Sequence, residues 1–192
     1  MRAAQANEGD EPIVSSLYYA TYGILFFAVP HKGIMIDDML RMLGQNDHPR
    51  TDLLAQINRS SDYLASQLAD FKDLIRDRKI VTFFETQQTR KLEQVRNSML
   101  IFEGLIYLTW CSLQNPENGS WARTGPYITA LDTDSALLQL PIQIETPVKL
   151  DADHSTVVKF DSKNAHGYKT ALNYLRTFEK DAPEVVRARF CM

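Results

Sequence analysis

The sequence predicts an α/β fold with parallel strands, on three observations. Apolar residues run without alternation through 20–29, "ATYGILFFAV", the pattern of a strand buried on both faces. Two further β-rich segments, "KIVTFFET" at 79–86 and "TPVKLDA" at 146–152, are separated by stretches of helical periodicity, so strands alternate with helices. The polar residues of most chemical interest fall just beyond the carboxyl ends of these strands, where parallel sheets gather ligands and catalytic groups.

The elements follow in order. The strand at 20–29 is stopped by Pro30, and "PHKG" at 30–33 makes a turn. "IDDMLRMLG" reads as one or two helical turns ended by Gly44. Through 49–76, Leu53, Leu54, Ile57, Leu64, Leu68, Phe71 and Ile75 recur three and four apart among charges, which predicts one long amphipathic helix. It would pack on the sheet or form part of a lid. A last amphipathic helix is expected over 165–181, with Tyr168, Leu172, Leu175 and Phe178 on its apolar face. The phenylalanines 26, 27, 83 and 84 read as core. The paired serines at 15–16 read as loop, and those at 60–61 as helix.

With 192 residues, one domain is expected, large enough to bury roughly 70% of its unfolded surface. Apolar residues at 44% and charged residues at 23% are ordinary for a globular chain. A net charge of −3 without a basic tract gives no basis for a nucleic-acid partner or an anionic membrane. Cys111 and Cys191 have no neighbours at metal-ligand spacing and form no disulfide framework. A reducing, cytoplasmic compartment is the expectation, with a mitochondrial or endoplasmic reticulum membrane-associated location as the alternative. The start "MRAAQANEGDEP" lacks the features of a signal peptide. Its "RAAQANEG" resembles the tail of a helix ending at glycine, with the earlier turns missing.

The strand ends carry "PHKG", "ETQQT" and "DADHS". At the last, His154 follows Asp151 and Asp153 and has two readings: a catalytic imidazole, or a loop residue at the start of a helix near Ser155. Glu85 is the acid directly at the end of a buried strand. It reads as a catalytic carboxylate or as a solvated turn residue. His31 reads as a structural residue of its turn, hydrogen-bonded to backbone. A metal held jointly by His31, Glu85 and His154 needs tightly set ligands and a supporting shell; no metal is expected.

"YGILFFAVPHKG", "IVTFFETQQTRKLE", "ALDTDSALLQLP" and "LDADHSTVVKFDSKNAHGYKTALNYL" together resemble the lipase-like α/β-hydrolase domains of fungal proteins that stand upstream of NACHT or repeat modules. They are also similar to the serine active site-containing protein family. The four segments cover most of the chain in the family's order. The resemblance implies the C-terminal half of an α/β-hydrolase fold: a few parallel strands flanked by helices, with the N-terminal half missing. It places His154 at the triad histidine and Glu85 at the triad acid, and implies an ester or lipid-like substrate with no cofactor. "PHKG" matches a turn the family usually writes Gly-Thr-Pro-His-basic-Gly; here Ala28 and Val29 replace the first two residues.

Chemistry gives the pair its own rationale. A serine hydroxyl needs an imidazole to remove its proton, and the imidazole needs a carboxylate to fix its tautomer and stabilise the imidazolium. The nucleophile has no counterpart: none of the eight glycines frames a serine as Gly-x-Ser-x-Gly. The chain as given is therefore expected to be inactive. The alternative is a non-catalytic signalling or interaction module of a fungal NLR-like or related protein. With no strand before it, the first strand becomes an apolar sheet edge. That predicts poor solubility or a protein partner at the edge.

Residues 95–114, "VRNSMLIFEGLIYLTWCSLQ", have no counterpart in the family pattern. Val-Arg can be encoded by a splice donor and Gln114 by an acceptor, so a retained in-frame intron is one expectation, tested on spliced transcript. A core or cap helix and a membrane contact are the others. A span takes about 20 apolar residues, and this stretch is interrupted by Glu103 and Gly104.

Overall fold

The computed structural model describes residues 12–43, 48–59, 61–95 and 120–191. Helix α1 (Pro12–Ala20) leads to β1 (Gly23–Phe27), then α2 (Asp37–Leu43), α3 (Thr51–Gln56), α4 (Asp62–Leu74) and β2 (Lys79–Glu85). Four short strands follow: β3 (Thr89–Arg90), β4 (Glu93–Val95), β5 (Ser120–Ala122) and β6 (Tyr127–Ile128). The chain ends with α5 (Thr133–Ala136), β7 (Glu145–Leu150) and α6 (His166–Phe190). The main sheet has the order β1-β2-β7, and both pairings are parallel. The α/β class and its three parallel strands thus stand as the sequence predicts, although β1 and β7 are shorter than 20–29 and 146–152.

Apolar side chains from both faces of the sheet account for the core. On one face Val81, Phe83, Val148 and Leu150 pack with Ala171, Tyr174 and Phe178 of α6. On the other, Ile24, Phe26 and Ile80 pack with Leu68, Phe71 and Leu74 of α4. Phe83 is fully buried and stacks on Phe27 at a 4.4 Å centroid distance. Phe84 is buried as well, so the four phenylalanines serve the core.

The two edges of this sheet differ. The bonds Lys79 N–H to Tyr22 C=O (3.2 Å) and Ala28 N–H to Phe83 C=O (2.8 Å) set the phase of β1. Gly23, Leu25 and Phe27 consequently turn their backbone donors and acceptors outward, and no described residue pairs with them. On β7 the outward positions are Glu145, Pro147 and Lys149, because Ile80 N–H donates to Ile144 C=O (2.8 Å) and Thr86 N–H to Leu150 C=O (3.1 Å). There Glu145 N–H is taken by Pro141 C=O at 3.0 Å, and Pro147 has no N–H to offer. One edge offers all its donors; on the other, of the three outward positions, only Lys149 keeps a free N–H among the described residues.

Three expectations need correction. The segment 49–76 is two helices, not one. Asn58 leaves helical geometry to bridge Ile34, and Arg59 N–H donates to Ile34 C=O at 3.2 Å. Ser61 then takes the extended N-cap position of α4. The final helix runs past 181 to Phe190 with Pro183 inside it. Its tail is anchored: Arg189 donates to Thr21 C=O (2.7 Å) and Asp77 C=O (3.0 Å), and Phe190 meets Tyr19 edge-on. Ser15 and Ser16 lie in α1, not in a loop; Pro12 occupies the first helical position, where its missing N–H costs nothing. The ribbon pairings β3–β6 and β4–β5 are antiparallel and were not anticipated.

The stretch 95–114 lies outside the described residues except for Val95, which pairs with Ser120. Gly44, Ser60 and the "RAAQANEG" segment also lie outside them. Among the described residues no helix is long and apolar enough to cross a membrane.

Candidate functional site

Glu85 is the last residue of β2, and His154 lies in the loop after β7, the neighbouring strand. Parallel neighbours end at the same side of a sheet, so residues 69 positions apart become adjacent. The two loops are fastened together. Thr86 Oγ1–H donates to Leu150 C=O (3.0 Å), Gln87 N–H to Ala152 C=O (3.1 Å) and Gln87 Nε2–H to Asp151 Oδ1 (2.6 Å).

His154 Nδ1 lies 2.9 Å from Glu85 Oε2. The Glu85 side chain is 4% exposed and that of His154 25%. A carboxylate can only accept, so Nδ1 carries the proton in this contact and Nε2 keeps its lone pair. No described residue hydrogen-bonds Nε2. The arrangement is a buried acid orienting a part-exposed imidazole whose free nitrogen is a base.

The two aspartates before His154 do different work. Asp151 receives Gln87. Asp153 Oδ1 accepts from Ser155 N–H (2.9 Å), Ser155 Oγ–H (2.8 Å) and Thr156 Oγ1–H (2.8 Å), which caps the turn that carries His154. Burial works to raise the Asp153 carboxyl pKa, but these bonds outweigh it and hold the group below its ordinary value.

A residue the sequence reading passed over also holds this loop. Thr89, 1% exposed, accepts the His154 backbone N–H on Oγ1 at 2.9 Å. A single threonine after a strand carries no pattern that would single it out.

The "PHKG" turn stands at the same end of the sheet but does not join the pair. His31 packs edge-on against Phe26 at 4.9 Å. Its backbone N–H donates to Ser135 C=O at 2.9 Å, as a structural turn residue should, while its buried ring Nε2 has no hydrogen-bond partner. Ser135 Oγ also accepts from Lys32 N–H (3.2 Å) and donates to Gly33 C=O (2.6 Å), and Lys32 Nζ meets Asp134 at 2.9 Å. Hence the turn after β1 is clamped to α5. Gly33 has φ +97°, and a Cβ there would lie 2.3 Å from Asn58 O, so only glycine fits. Ala28, at φ +46°, takes a left-handed conformation that costs a non-glycine residue about 1 kcal/mol.

Among the described residues, no group of three His, Cys, Asp or Glu side chains could hold a metal ion. A shallow cleft of about 190 Å³ lined by Tyr22, Lys79, Tyr174 and Phe178 includes residues at the opposite, amino-terminal end of the strands and takes in neither Glu85 nor His154. Comparison of the chain with protein-family models, curated proteins and solved structures finds no match.

Proposed function

We propose that Glu85 and His154 are the acid and base of a serine-hydrolase triad in an α/β-hydrolase-like domain acting on ester or lipid-like substrates. The observation that supports this is the 2.9 Å contact between a buried carboxylate and Nδ1 of a part-exposed imidazole. In this reading Nε2 takes the proton of a serine hydroxyl as its oxygen attacks the ester carbonyl. The imidazolium is stabilised by Glu85 and returns the proton to the leaving alcohol. The serine is not framed by an elbow motif anywhere in this sequence. In this reading a serine is supplied by a strand–turn–helix added at the open β1 edge, with β1 between it and β2, the strand that ends in Glu85.

The test has two parts. The chain alone is expected to hydrolyse p-nitrophenyl butyrate no faster than its His154→Ala variant. Fused to a strand–turn–helix bearing Gly-x-Ser-x-Gly, it is expected to take a fluorophosphonate label on that serine, and to lose the label in His154→Ala and Glu85→Gln. Labelling indifferent to both substitutions would sink the proposal.

A second reading, a non-catalytic signalling or interaction module, is favoured by the missing elbow together with the open edge. Its signature is hydrogen exchange. In the isolated chain the amides of Gly23, Leu25 and Phe27 are expected to exchange fast, while those of Ile24, Phe26 and Ala28 are protected by β2. A partner that adds a strand slows the first three without any His154-dependent chemistry.

A further inference from the structure

We infer that Thr89 is a positioning residue for His154: its buried hydroxyl fixes the histidine's backbone so that the ring meets Glu85. Beyond the Gln87 bonds to Asp151 and Ala152, three contacts hold the loop at His154. Glu85 Oε2 holds the ring at Nδ1 (2.9 Å), Asp153 caps the turn that follows, and Thr89 Oγ1 takes the His154 N–H itself (2.9 Å). Only the last anchors the histidine's own main chain to another element. Thr89 is itself immobilised, 1% exposed and paired with Ile128 in the β3–β6 ladder. The ladder thereby sets where the imidazole stands, since a ring cannot keep a 2.9 Å bond to a fixed carboxylate if its own backbone shifts by much of an ångström. The acceptor matters as chemistry as well as shape. Without it the part-buried His154 N–H has no partner, and the loop must move to find water.

The inference rests on reading Glu85–His154 as an acid–base pair, but its test needs no nucleophile. The readout is the exchange rate of the His154 Nδ1 proton, followed by NMR in the whole chain and identified by its absence from His154→Ala. Thr89→Val, which keeps the shape and removes the acceptor, is expected to speed this exchange at least 10-fold. Thr89→Ser is expected to restore it to the native rate. Thr82→Val serves as the control: it removes a buried hydroxyl that donates to Glu145 at 2.7 Å, away from the pair, and is expected to lower stability while leaving the Nδ1 proton unchanged. An unaltered rate in folded Thr89→Val, or equal acceleration in Thr82→Val, overturns the assignment. If Thr89→Val does not fold, the native chain decides through the His154 backbone amide. It should exchange at least 10-fold slower than that of the exposed loop residue Lys163, and equal rates overturn the assignment. Failure of serine labelling with the Thr89 dependence intact counts against the hydrolase reading alone.

Discussion

Glu145→Ala is expected to lower stability by about 3–5 kcal/mol. Glu145 opens β7 and is 4% exposed. Its Oε1 accepts Thr82 Oγ1–H (2.7 Å) and Leu138 N–H (3.0 Å), and its Oε2 accepts Leu140 N–H (3.0 Å). Gln139, between those two amides, has φ +58°, and this left-handed kink lets both amides face one carboxylate. The loop from Leu137 to Ile144 is thus wrapped around a buried charge, with fully buried Leu138 pressed into the core beneath α4. Alanine leaves three donors, two of them backbone, with no acceptor. Glu145→Gln keeps one acceptor oxygen and should lose roughly half as much. Denaturation in urea with linear extrapolation measures both. A loss below about 1 kcal/mol for Glu145→Ala would show that water replaces the carboxylate at little cost.

Acid is expected to weaken the fold through His31. Burial lowers its pKa from 6.5 to about 4; the charge of Glu145 opposes that shift, and Lys72 adds to it. The ring is neutral in the folded chain over a range where the unfolded chain has already bound a proton. Stability is therefore full above about pH 6.5, falls as pH drops from 6.5 towards 4, and loses nothing further from this group below 4. A shift of this size corresponds to about 3 kcal/mol in full. Partial solvent contact of the ring screens it to about 2 kcal/mol. His31→Gln should flatten the stability profile between pH 7 and pH 4 by that amount. The aspartates act in another window. Asp134, lowered chiefly by its hydrogen bond from Lys32, and Asp153 both lie below the ordinary 3.8, so their contributions are lost only at still lower pH. A profile unchanged by His31→Gln would show that the unpartnered Nε2 finds water and the ring titrates freely.

The elements legible in the sequence are those that bury apolar surface in quantity. β1, β2 and β7 follow from runs of β-formers, and the first half of α6 from Tyr168, Leu172, Leu175 and Phe178. The break at Asn58 was not legible, because leucine spacing continues on both sides of it. What interrupts the helix is a bridge to Ile34, a contact of long sequence separation. Pro183 lies inside α6, where proline ordinarily breaks a helix, yet Arg189 and Phe190 hold the tail beyond it against α1. Strands of two or three residues, such as β3 and β6, carry no periodicity to detect.

At the site, Glu85 stood out because it ends a strand, and His154 because it follows one. That they share one edge follows from parallel pairing, and their contact is a matter of coordinates. Thr89 and Glu145 gave no such sign. Their weight comes from the atoms they face, and a lone polar residue in a sequence does not disclose its partner.

The unequal edges of the sheet also decide what kind of association this chain can enter. Endless stacking of copies needs an adhesive strip on both flanks, and the β7 flank withholds one donor by ring closure and another by an internal bond. Among the described residues only β1 offers a full strip, so strand addition there is expected to stop after one strand: two copies joined about a twofold axis would use up both strips.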